Sequence, residues 1–570
     1  MAAGEYAGPA QPYLPIGEYA FLSDCHSTAL VSRHGSVDWA CFRRFDSPTA
    51  FARLLDHDRG GHFSIRACDA VDFDRGYIDG TLVLRTMITT TTGTARLTEA
   101  MVMRTGGADD PRHELVRIVD GIDGTVAFDV ELAPRFDYGL TVPMIRHVND
   151  HEFTAVGGPE ALVIQTDAPL TLGRGPGKLV GRLEVTAGTT CRFLLSSRAA
   201  HQVSPAAVHP DTSYLEDADE LLRTTIEWWQ RWSRGSVESG SFEEQAATSV
   251  RVLKGLTCAP TGAVIAAATT SLPEDPGSNR NWDYRYSWVR DSSLVLDALV
   301  GTGHAEVANG FHNFLIRSAA GNADDLRIMY GAFGERRLPE LELDLDGWRG
   351  SRPVRIGNGA ASQVQLDVYG HLLDAVDTWH DGTSEFDPAE RQFLRRAVDI
   401  ASTRWREPDQ GIWEMRGEPH HFVNSKVMCW VALDRGIGLA SMLHARDEDV
   451  AKWRAAADEL RAEVMTRGID PDRGCFRQHY ATADVDASLL KLPLVGFIPA
   501  DHPAVVATVE AIRHDLTVGE SGFIRRYGAH IDDGVTDANN EGVFLLATCW
   551  LVEVLCLQGH RQEAVTLFER

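Results

Sequence analysis

The alternation of apolar and polar positions changes its period once along the chain, near residue 213. From about residue 17 to residue 200, apolar residues recur at every second position in short runs rich in Thr, Val, Leu and Ile. The clearest runs cover residues 81–103, 114–134 and 179–197. Turn residues interrupt them at Thr92-Gly93, Asp120-Gly121, Asp123-Gly124 and Ala187-Gly188. Short strands separated by such turns are typical of an antiparallel β-sandwich.

From about residue 213 the period becomes helical. Residues 214–235 form a polar, Trp-rich helical pattern, which we interpret as a linker helix between two domains. Beyond it, about eleven helical segments alternate with long loops, with little strand pattern between them. We place these helices near residues 242–257, 286–302, 304–318, 359–378, 387–405, 421–443, 447–467, 482–490, 503–515, 537–558 and 560–569. Their irregular spacing leaves both a solenoid and a closed α/α toroid open.

The pattern predicts a multidomain β + α chain in three parts. Residues 1–212 form the β-sandwich, residues 213–240 the linker helix, and residues 241–570 the helical domain. A chain of 570 residues is longer than one compact core usually holds, which agrees with more than one domain.

Charge narrows the range of partners. The chain has 55 Lys+Arg and 81 Asp+Glu, a formal net charge of -26. A net negative charge of this size repels phosphate backbones and anionic lipid. We therefore expect neither nucleic acid nor a membrane as a partner. A neutral ligand such as a sugar is compatible with it.

The nine cysteines are scattered and form no CxxC pair, which argues against a disulfide framework and a structural zinc site. We expect no metal and no cofactor. The first residues show neither the basic nor the apolar segment of a secretory signal. The longest apolar run, residues 543–557, is too short to span a bilayer. We therefore expect a cytoplasmic protein, and the oligomeric state stays open, a homo-oligomer included.

The densest group of aromatic and polar residues is the segment 281–291, NWDYRYSWVRD. A sugar presents many hydroxyls and one apolar face, so a sugar site needs Trp or Tyr faces and Arg or Asp groups. This segment supplies both. The alternative is a core junction with a buried Arg-Asp pair, and we favour the sugar site.

Two further loops carry candidate chemistry. Residues 350–360 join two arginines to flexible glycines, which suits either a polar cleft wall or an ordinary loop. Residues 411–416 place Glu414 directly after Trp413. A carboxyl group beside an indole face can stay protonated near neutral pH, as a general acid for a glycosidic oxygen must. On its own, a single Glu is more often a surface charge.

A fourth group lies near the C-terminal end. It contains Arg526 and Tyr527, followed by residues 537–544, DANNEGVF. We interpret Asp537, Asn539 and Asn540 as residues that cap the N-terminus of the following helix.

These groups, in this order, resemble glycoside hydrolase family 15, which contains glucoamylases, glucodextranases and bacterial or archaeal trehalases. The resemblance covers nearly the whole chain. The stretches PIGEY at 15–19, GSVDW at 35–39 and RFDSP at 44–48 resemble the trehalase branch. The family implies an N-terminal antiparallel super-β-sandwich followed by an (α/α)6 toroid.

The resemblance also implies roles for particular residues. Glu414 is expected to be the general acid, next to Trp413. Arg290 and Asp291 are expected to hold hydroxyls of the glucose at subsite −1. The other residues that match the family's substrate-binding motifs are Tyr284, Trp288, Arg352, Arg355, Arg526 and Tyr527.

One departure from the family concerns the general base. In the trehalase branch, the segment that ends in residues 567–570 continues into a Glu-Glu pair containing the base, and then into a final helix. We therefore expect a toroid without its last helix, and weak or absent hydrolysis by this chain. Glu541 is the candidate substitute base.

The expected activity is inverting hydrolysis of an α-glucosidic bond that releases glucose, with α,α-trehalose favoured as substrate. A glucan 1,4-α-glucosidase of the glucoamylase type is the enzymatic alternative. A non-catalytic carbohydrate-binding paralogue without a general base is the alternative from another class.

Overall fold

The computed structural model describes residues 13–103, 113–203, 213–235, 242–379, 385–528, 530–531 and 542–570. Its first part is an antiparallel β-structure. The strands described there are β1 (Tyr19–Ser23), β2 (Thr28–Ser32), β3 (Ser36–Cys41), β4 (Thr49–Phe51), β5 (His62–Ala67), β6 (Ala70–Tyr77), β7 (Leu84–Thr90), β8 (Gly93–Met101), β9 (Glu114–Ala133), β10 (Met144–Asn149), β11 (Glu152–Gly157), β12 (Glu160–Thr166), β13 (Thr171–Leu172), β14 (Leu179–Thr186) and β15 (Thr190–Ala199).

The strands form two facing sheets that share β9. Strands β1–β5, β13 and β14 pair on one side with the second half of β9. Strands β6–β8, β10–β12 and β15 pair on the other side with its first half. Buried side chains of both sheets meet in one core, where the rings of Phe63 and Phe193 lie 5.5 Å apart. The predicted sandwich is confirmed.

The long strand β9 corrects two predicted turns. It runs unbroken through Asp120-Gly121 and Asp123-Gly124. Its register against β8 slips there, because Thr94 pairs with Asp123 and Ala95 with Gly121. Ile122 is therefore the extra residue of a β-bulge, and the Asp-Gly pairs mark the place where β9 passes between the sheets. The turns near 92–93 and 187–188 do separate β7 from β8 and β14 from β15.

Helices dominate the rest of the chain. Those described are α1 (Ser213–Ser233), α2 (Glu243–Gly255), α3 (Val289–Gly301), α4 (Ala305–Ser318), α5 (Val368–Trp379), α6 (Pro388–Arg404), α7 (Val423–Gly438), α8 (Asp447–Arg467), α9 (Lys491–Leu494), α10 (Pro503–Leu516), α11 (Leu545–Leu557) and α12 (Arg561–Phe568). Four short strands lie in the loops: β16 (Ser287–Trp288), β17 (Met329–Tyr330), β18 (Leu341–Leu343) and β19 (Val354–Ile356). No helix in the described ranges is long and apolar enough to cross a bilayer.

The predicted linker helix α1 contacts both parts of the molecule. Its buried Trp229 belongs to a cluster with strand residues such as Val116 and Leu194. One turn later the indole of Trp232 stacks on the His304 ring, beside the start of α4, at 3.9 Å between centroids. The helix therefore packs across the junction.

Helices alternate between two layers after α1. Helix α5 lies between α3 and α7, and α9 contacts both α7 and α11. The even-numbered helices α4, α6, α8 and α12 each pack against the odd-numbered helix that precedes them. The loops before α3, α5, α7 and α11 consequently reach the same end of the helical part.

Two segments predicted as helix contain a 3-10 turn instead. Residues 482–490 contain a 3-10 turn at Ala487–Leu490, which Asp486 caps by accepting a hydrogen bond from the Ser488 amide. Residues 359–367 contain a 3-10 turn at Gly359–Ser362, capped by Asn358, before α5 begins at Val368. In both places local side-chain caps hold the backbone outside the α-helix.

Candidate active site

The segment before α3 divides its side chains between core and cavity. Asn281, Asp283 and Arg285 are buried, while Trp282 and Tyr284 are half-buried and line a cavity. This alternation follows from an extended backbone, in which successive side chains point to opposite sides. The core interpretation therefore describes part of the cluster, since Asp283 and Arg285 form a buried ion pair of 2.7 Å. The sugar site stays a prediction for the side chains that face the cavity.

Glu414 lies in the loop before α7 and faces Arg290 at the start of α3. The Arg290 guanidinium donates to the Glu414 carboxylate at 2.7 Å and to Asp291 at 3.0 Å. It also donates to the carbonyl of Ile412 in the same loop. Arg290 thus joins two segments that are 124 residues apart in sequence.

The backbone of Glu414 is unusual, with φ at 54°. This is the left-handed region, which side chains other than Gly, Asn and Asp rarely occupy. The preceding Trp413 anchors the loop, because its indole donates to the buried Asp486 at 3.0 Å and packs near Phe544 and Trp550.

Burial raises the pKa of Glu414 above its ordinary value, against the opposing effect of Arg290. The negative charge of Asp291 acts in the same direction as burial, whereas Arg526 acts against it. With its side chain 19% exposed, the carboxyl group is still reachable from the cavity. A raised pKa favours the protonated form that a general acid needs.

A cavity opens beside the Glu414 carboxyl. Glu414 is the one carboxylate among the described residues that line it. The lining comprises Arg280, Trp282, Tyr284, Trp288, Asn358, Ala360, Trp413, Glu414, Arg416, Arg526 and Tyr527.

A second carboxylate, Glu274, orients two of the lining residues. It accepts a hydrogen bond from the Tyr284 hydroxyl at 2.9 Å, and its other oxygen pairs with Arg526. Arg526 comes from the loop before α11, so this contact joins that loop to the segment before α3. Sequence reasoning missed Glu274, because no local pattern distinguishes it from other loop glutamates.

The predicted site residues fall into four groups. Six of them line the cavity: Tyr284, Trp288, Trp413, Glu414, Arg526 and Tyr527. Arg290 and Asp291 reach it through the contact of Arg290 with Glu414. The third group consists of Arg352 and Arg355, in the loop before α5. Glu541 forms the fourth group.

Arg355 and Arg352 take different positions in that loop. Arg355 lies behind the cavity wall, with its guanidinium 4.3 Å from the centroid of the Trp282 ring. Arg352 turns away, because its 56% exposed side chain pairs with Asp346 at the surface. Arg352 therefore does not line the cavity.

Glu541 lies outside the described residues, and so do the predicted capping residues Asp537, Asn539 and Asn540. The helix that those three were expected to cap, α11, begins at Leu545 with Phe544 as its N-cap, so the capping prediction is wrong. Several lining residues were not singled out from the sequence, namely Arg280, Trp282, Asn358, Ala360 and Arg416. Of these, Trp282, Asn358, Ala360 and Arg416 lie inside segments that the sequence did mark, so the marked segments supply more of the cavity lining than the individually named residues do. In the described part of the chain, no three His, Cys, Asp or Glu side chains are grouped as a metal site requires.

Family models match both parts of the chain. The model of glycosyl hydrolases family 15 matches residues 240–569, and that of the trehalase-like N-terminal domain matches residues 9–169. A solved bacterial glucoamylase in complex with acarbose has the same fold. Its TM-score is 0.68 at 12% identity, and the match covers 95% of this chain and 86% of that one.

Curated relatives match over almost the whole chain. A trehalase of Mycolicibacterium smegmatis is 39% identical, over 99% of this chain and 86% of its own length. A trehalase of Mycobacterium tuberculosis is 38% identical, over 100% and 85%. A trehalase of Thermoplasma volcanium is 31% identical, over 98% and 87%. The chain belongs to glycosyl hydrolases family 15 and is a glycoside hydrolase.

Proposed function

We propose that this chain hydrolyses α,α-trehalose to glucose with inversion, and that Glu414 is the general acid. The trehalase relatives over nearly the full chain favour this activity over the weak or absent hydrolysis expected from the sequence. The observation that carries the proposal is the position of the Glu414 carboxyl, which lies 2.7 Å from Arg290 and lines a cavity walled by aromatic and arginine side chains. The substrate follows from the relatives, which are trehalases that match nearly the full chain.

The inner part of the cavity suits the glucose ring at subsite −1. Tyr284 and Trp288 supply aromatic faces, and the Arg290–Asp291 pair supplies a donor and an acceptor for neighbouring hydroxyls. Trp288 is 2% exposed, and its indole nitrogen has no hydrogen-bond partner among the described residues. In the proposed complex this nitrogen donates to a sugar hydroxyl, which satisfies a buried polar group.

Substrate binding also prepares the acid. Without sugar, Arg290 stabilises the ionised form of Glu414 through their ion pair. When Arg290 turns its donors to the sugar hydroxyls, that stabilisation weakens, and burial then favours the protonated carboxyl. Glu414 in this way takes up the proton that it must donate when the glycosidic bond is present.

Inversion needs a second carboxylate, about 6.5–9.5 Å from the first, to activate water on the opposite face of the ring. Glu541 stays our prediction for that base. It lies outside the described residues, a few positions before Phe544, which lies near Trp413. Arg526 and Tyr527 are proposed to border the scissile bond, with Arg355 supporting the wall through Trp282.

A glucan 1,4-α-glucosidase is the less favoured activity. The glucoamylase match is below 25% identity and bears on the fold alone. The curated relatives are trehalases. The ratio of kcat/KM on trehalose to that on maltose measures this preference directly.

The test compares two substrates with the same glucose ring. Glu414→Gln should lower kcat on trehalose by about 10²–10⁴-fold, since the leaving sugar needs a proton. It should lower kcat on α-glucosyl fluoride far less, because fluoride leaves without one. Glu418→Gln is the matched control, an exposed glutamate of the same loop.

The stereochemistry provides an independent readout. Inverting hydrolysis of trehalose gives one α- and one β-glucose, which proton NMR resolves before the anomers equilibrate. Two α-anomers, or binding of trehalose without turnover by the unaltered chain, would contradict the proposal. In the same assay, unchanged activity of Glu541→Gln would remove Glu541 as the base.

We further propose that the protein acts in the cytoplasm. All nine of its cysteines are free thiols, the usual state in a reducing compartment. Whether it forms a homo-oligomer stays open, and sedimentation of the purified chain answers it.

A further inference from the structure

Arg416, two residues after Glu414, lies in the cavity wall, and its contacts fix the orientation of its side chain. Its guanidinium forms a bidentate pair with Glu340, with N–O distances of 3.1 and 2.7 Å. The same group lies 3.9 Å from the centroid of the Trp282 ring. Hydrogen bonds and a cation–π contact therefore fix one orientation of the guanidinium before any ligand binds.

Glu340, which holds Arg416 in this orientation, is itself fixed by a further hydrogen bond. Glu340 accepts a third hydrogen bond from the amide of Gly359 at 2.9 Å. Although burial raises the pKa of Glu340, the hydrogen bonds from Arg416 and from Gly359 hold it below the ordinary value. Glu340 thus stays ionised and keeps Arg416 in place.

The position of Arg416 relative to Glu414 indicates which part of a substrate it meets. The inner wall is formed by Trp288, whereas the Arg416 side chain is 30% exposed at the mouth of the cavity. A glucose ring held at Trp288 and Arg290 directs its glycosidic oxygen to Glu414. The ring beyond that oxygen must then lie toward the mouth, beside Arg416.

We infer that Arg416 is a specificity-determining residue that hydrogen-bonds the second sugar ring, the leaving group. The inference rests on the proposed function, and deepens it by naming a recognition residue for the aglycone. The pair with Glu340 uses two of the five guanidinium N–H donors. The other donors are available for the hydroxyls of the leaving ring.

The same geometry selects against long glucans. A chain of glucose units needs aromatic platforms beyond the scissile bond, on which successive rings stack. Trp282 is the aromatic ring nearest Arg416, but the guanidinium groups of Arg416 and Arg355 lie against it at 3.9 and 4.3 Å. The outer subsite is therefore a polar contact suited to a single compact ring, such as the second glucose of a disaccharide.

The test measures binding in a Glu414→Gln background, so that trehalose is not consumed. Two ligands are titrated by calorimetry: trehalose, which fills both subsites, and 1-deoxynojirimycin, an iminosugar with one glucose-like ring. Adding Arg416→Ala should weaken trehalose binding by about 10–100-fold, as expected for lost hydrogen bonds to a charged group. Iminosugar binding should change less than about twofold.

Two further variants keep the test decisive. Arg416→Lys retains the charge without the planar fork, and should weaken trehalose binding nearly as much as Arg416→Ala. Arg336→Ala is the matched control, because Arg336 has a similar exposure and one ion pair, with Asp325, away from the cavity. It should change neither affinity.

The outcomes separate the two proposals. If Arg416→Ala leaves trehalose binding unchanged, or weakens both ligands equally, the role of Arg416 is overturned while the proposed function stands. If the Glu414→Gln protein binds neither ligand, the proposed function fails, and the role of Arg416 fails with it.

Discussion

At the scale of single residues, the chemistry of the site depends on one arginine shared by two carboxyl groups. Arg290 contacts Asp291 and Glu414, both partly shielded from water. When both carboxyls are ionised the trio has a net charge of −1, and when Glu414 is protonated it is neutral. Because a low-dielectric surrounding disfavours net charge, the trio favours a protonated Glu414.

This arrangement predicts the pH dependence of the reaction. As the proposed general acid, Glu414 would act only while protonated, so kcat/KM on trehalose should fall as the pH rises through its raised pKa. Asp291→Asn removes a negative charge that raises this pKa. The alkaline limb should therefore move to lower pH, as a pH profile of kcat/KM would measure. Asp344→Asn, at a 90% exposed position, is the control, and a limb that moves upward would contradict the explanation.

How much of the site the sequence predicts depends on the range of its contacts. Trp413-Glu414 and Arg290-Asp291 are adjacent pairs within motifs, so the chain itself marks them. Glu274 reaches Arg526 across 252 residues, and Arg416 reaches Glu340 across 76. Neither contact leaves a local pattern, because the fold alone brings those segments together.

At the scale of elements, strand β9 couples the two sheets of the sandwich through its bulge. Periodicity predicted the strands on either side but placed turns at Asp-Gly pairs, which favour turns when considered locally. The partners of β9 overrule that preference, since β8, β14 and β15 all hydrogen-bond along it. Helix α8, by contrast, was predicted at residues 447–467 and is found at Asp447–Arg467. Its ends are marked locally, by acidic residues in the first turn and by Arg467 in the last turn.

The bulge predicts a strict requirement for glycine at position 121. A Cβ atom there would lie 2.0 Å from the carbonyl oxygen of Thr186, a backbone atom that cannot rotate away. Gly121→Ala should lower the free energy of unfolding of the sandwich by about 1–3 kcal/mol. Gly76→Ala in β6 is the control, with nothing within 4 Å of the added atom. Chemical denaturation of both variants measures the difference, and equal stabilities would refute the requirement.

At the scale of the whole molecule, the β-sandwich supports the wall of the active site. The fully buried Arg285 of the 281–291 segment donates to the Ser47 carbonyl at 2.9 Å and to the Tyr138 hydroxyl at 2.7 Å, both in the sandwich. Trp39 donates from the sandwich to the Ala268 carbonyl at 2.9 Å. The two parts of the chain therefore share one polar junction directly behind Trp282 and Tyr284.

This junction predicts that a change remote from the cavity lowers both stability and activity. Arg285→Met would leave the buried Asp283 without its ion-pair partner, at a cost of about 3–5 kcal/mol. We expect a lower thermal midpoint and a reduced kcat/KM on trehalose, since Tyr284 is adjacent. Arg66→Met, which removes an exposed partner of Asp129, should affect neither. Full activity of Arg285→Met would show that the sandwich does not position the wall.

At Glu414, the left-handed backbone opposes stability to the proposed catalytic role of the side chain. Glycine or asparagine would adopt this backbone conformation most easily. Glutamate at this position costs about 1 kcal/mol of stability by comparison. Selection of variants for stability alone would therefore favour replacing this residue, and would remove the proposed proton donor. A glutamate at this position is therefore explained by its proposed role as proton donor and not by the stability of the backbone.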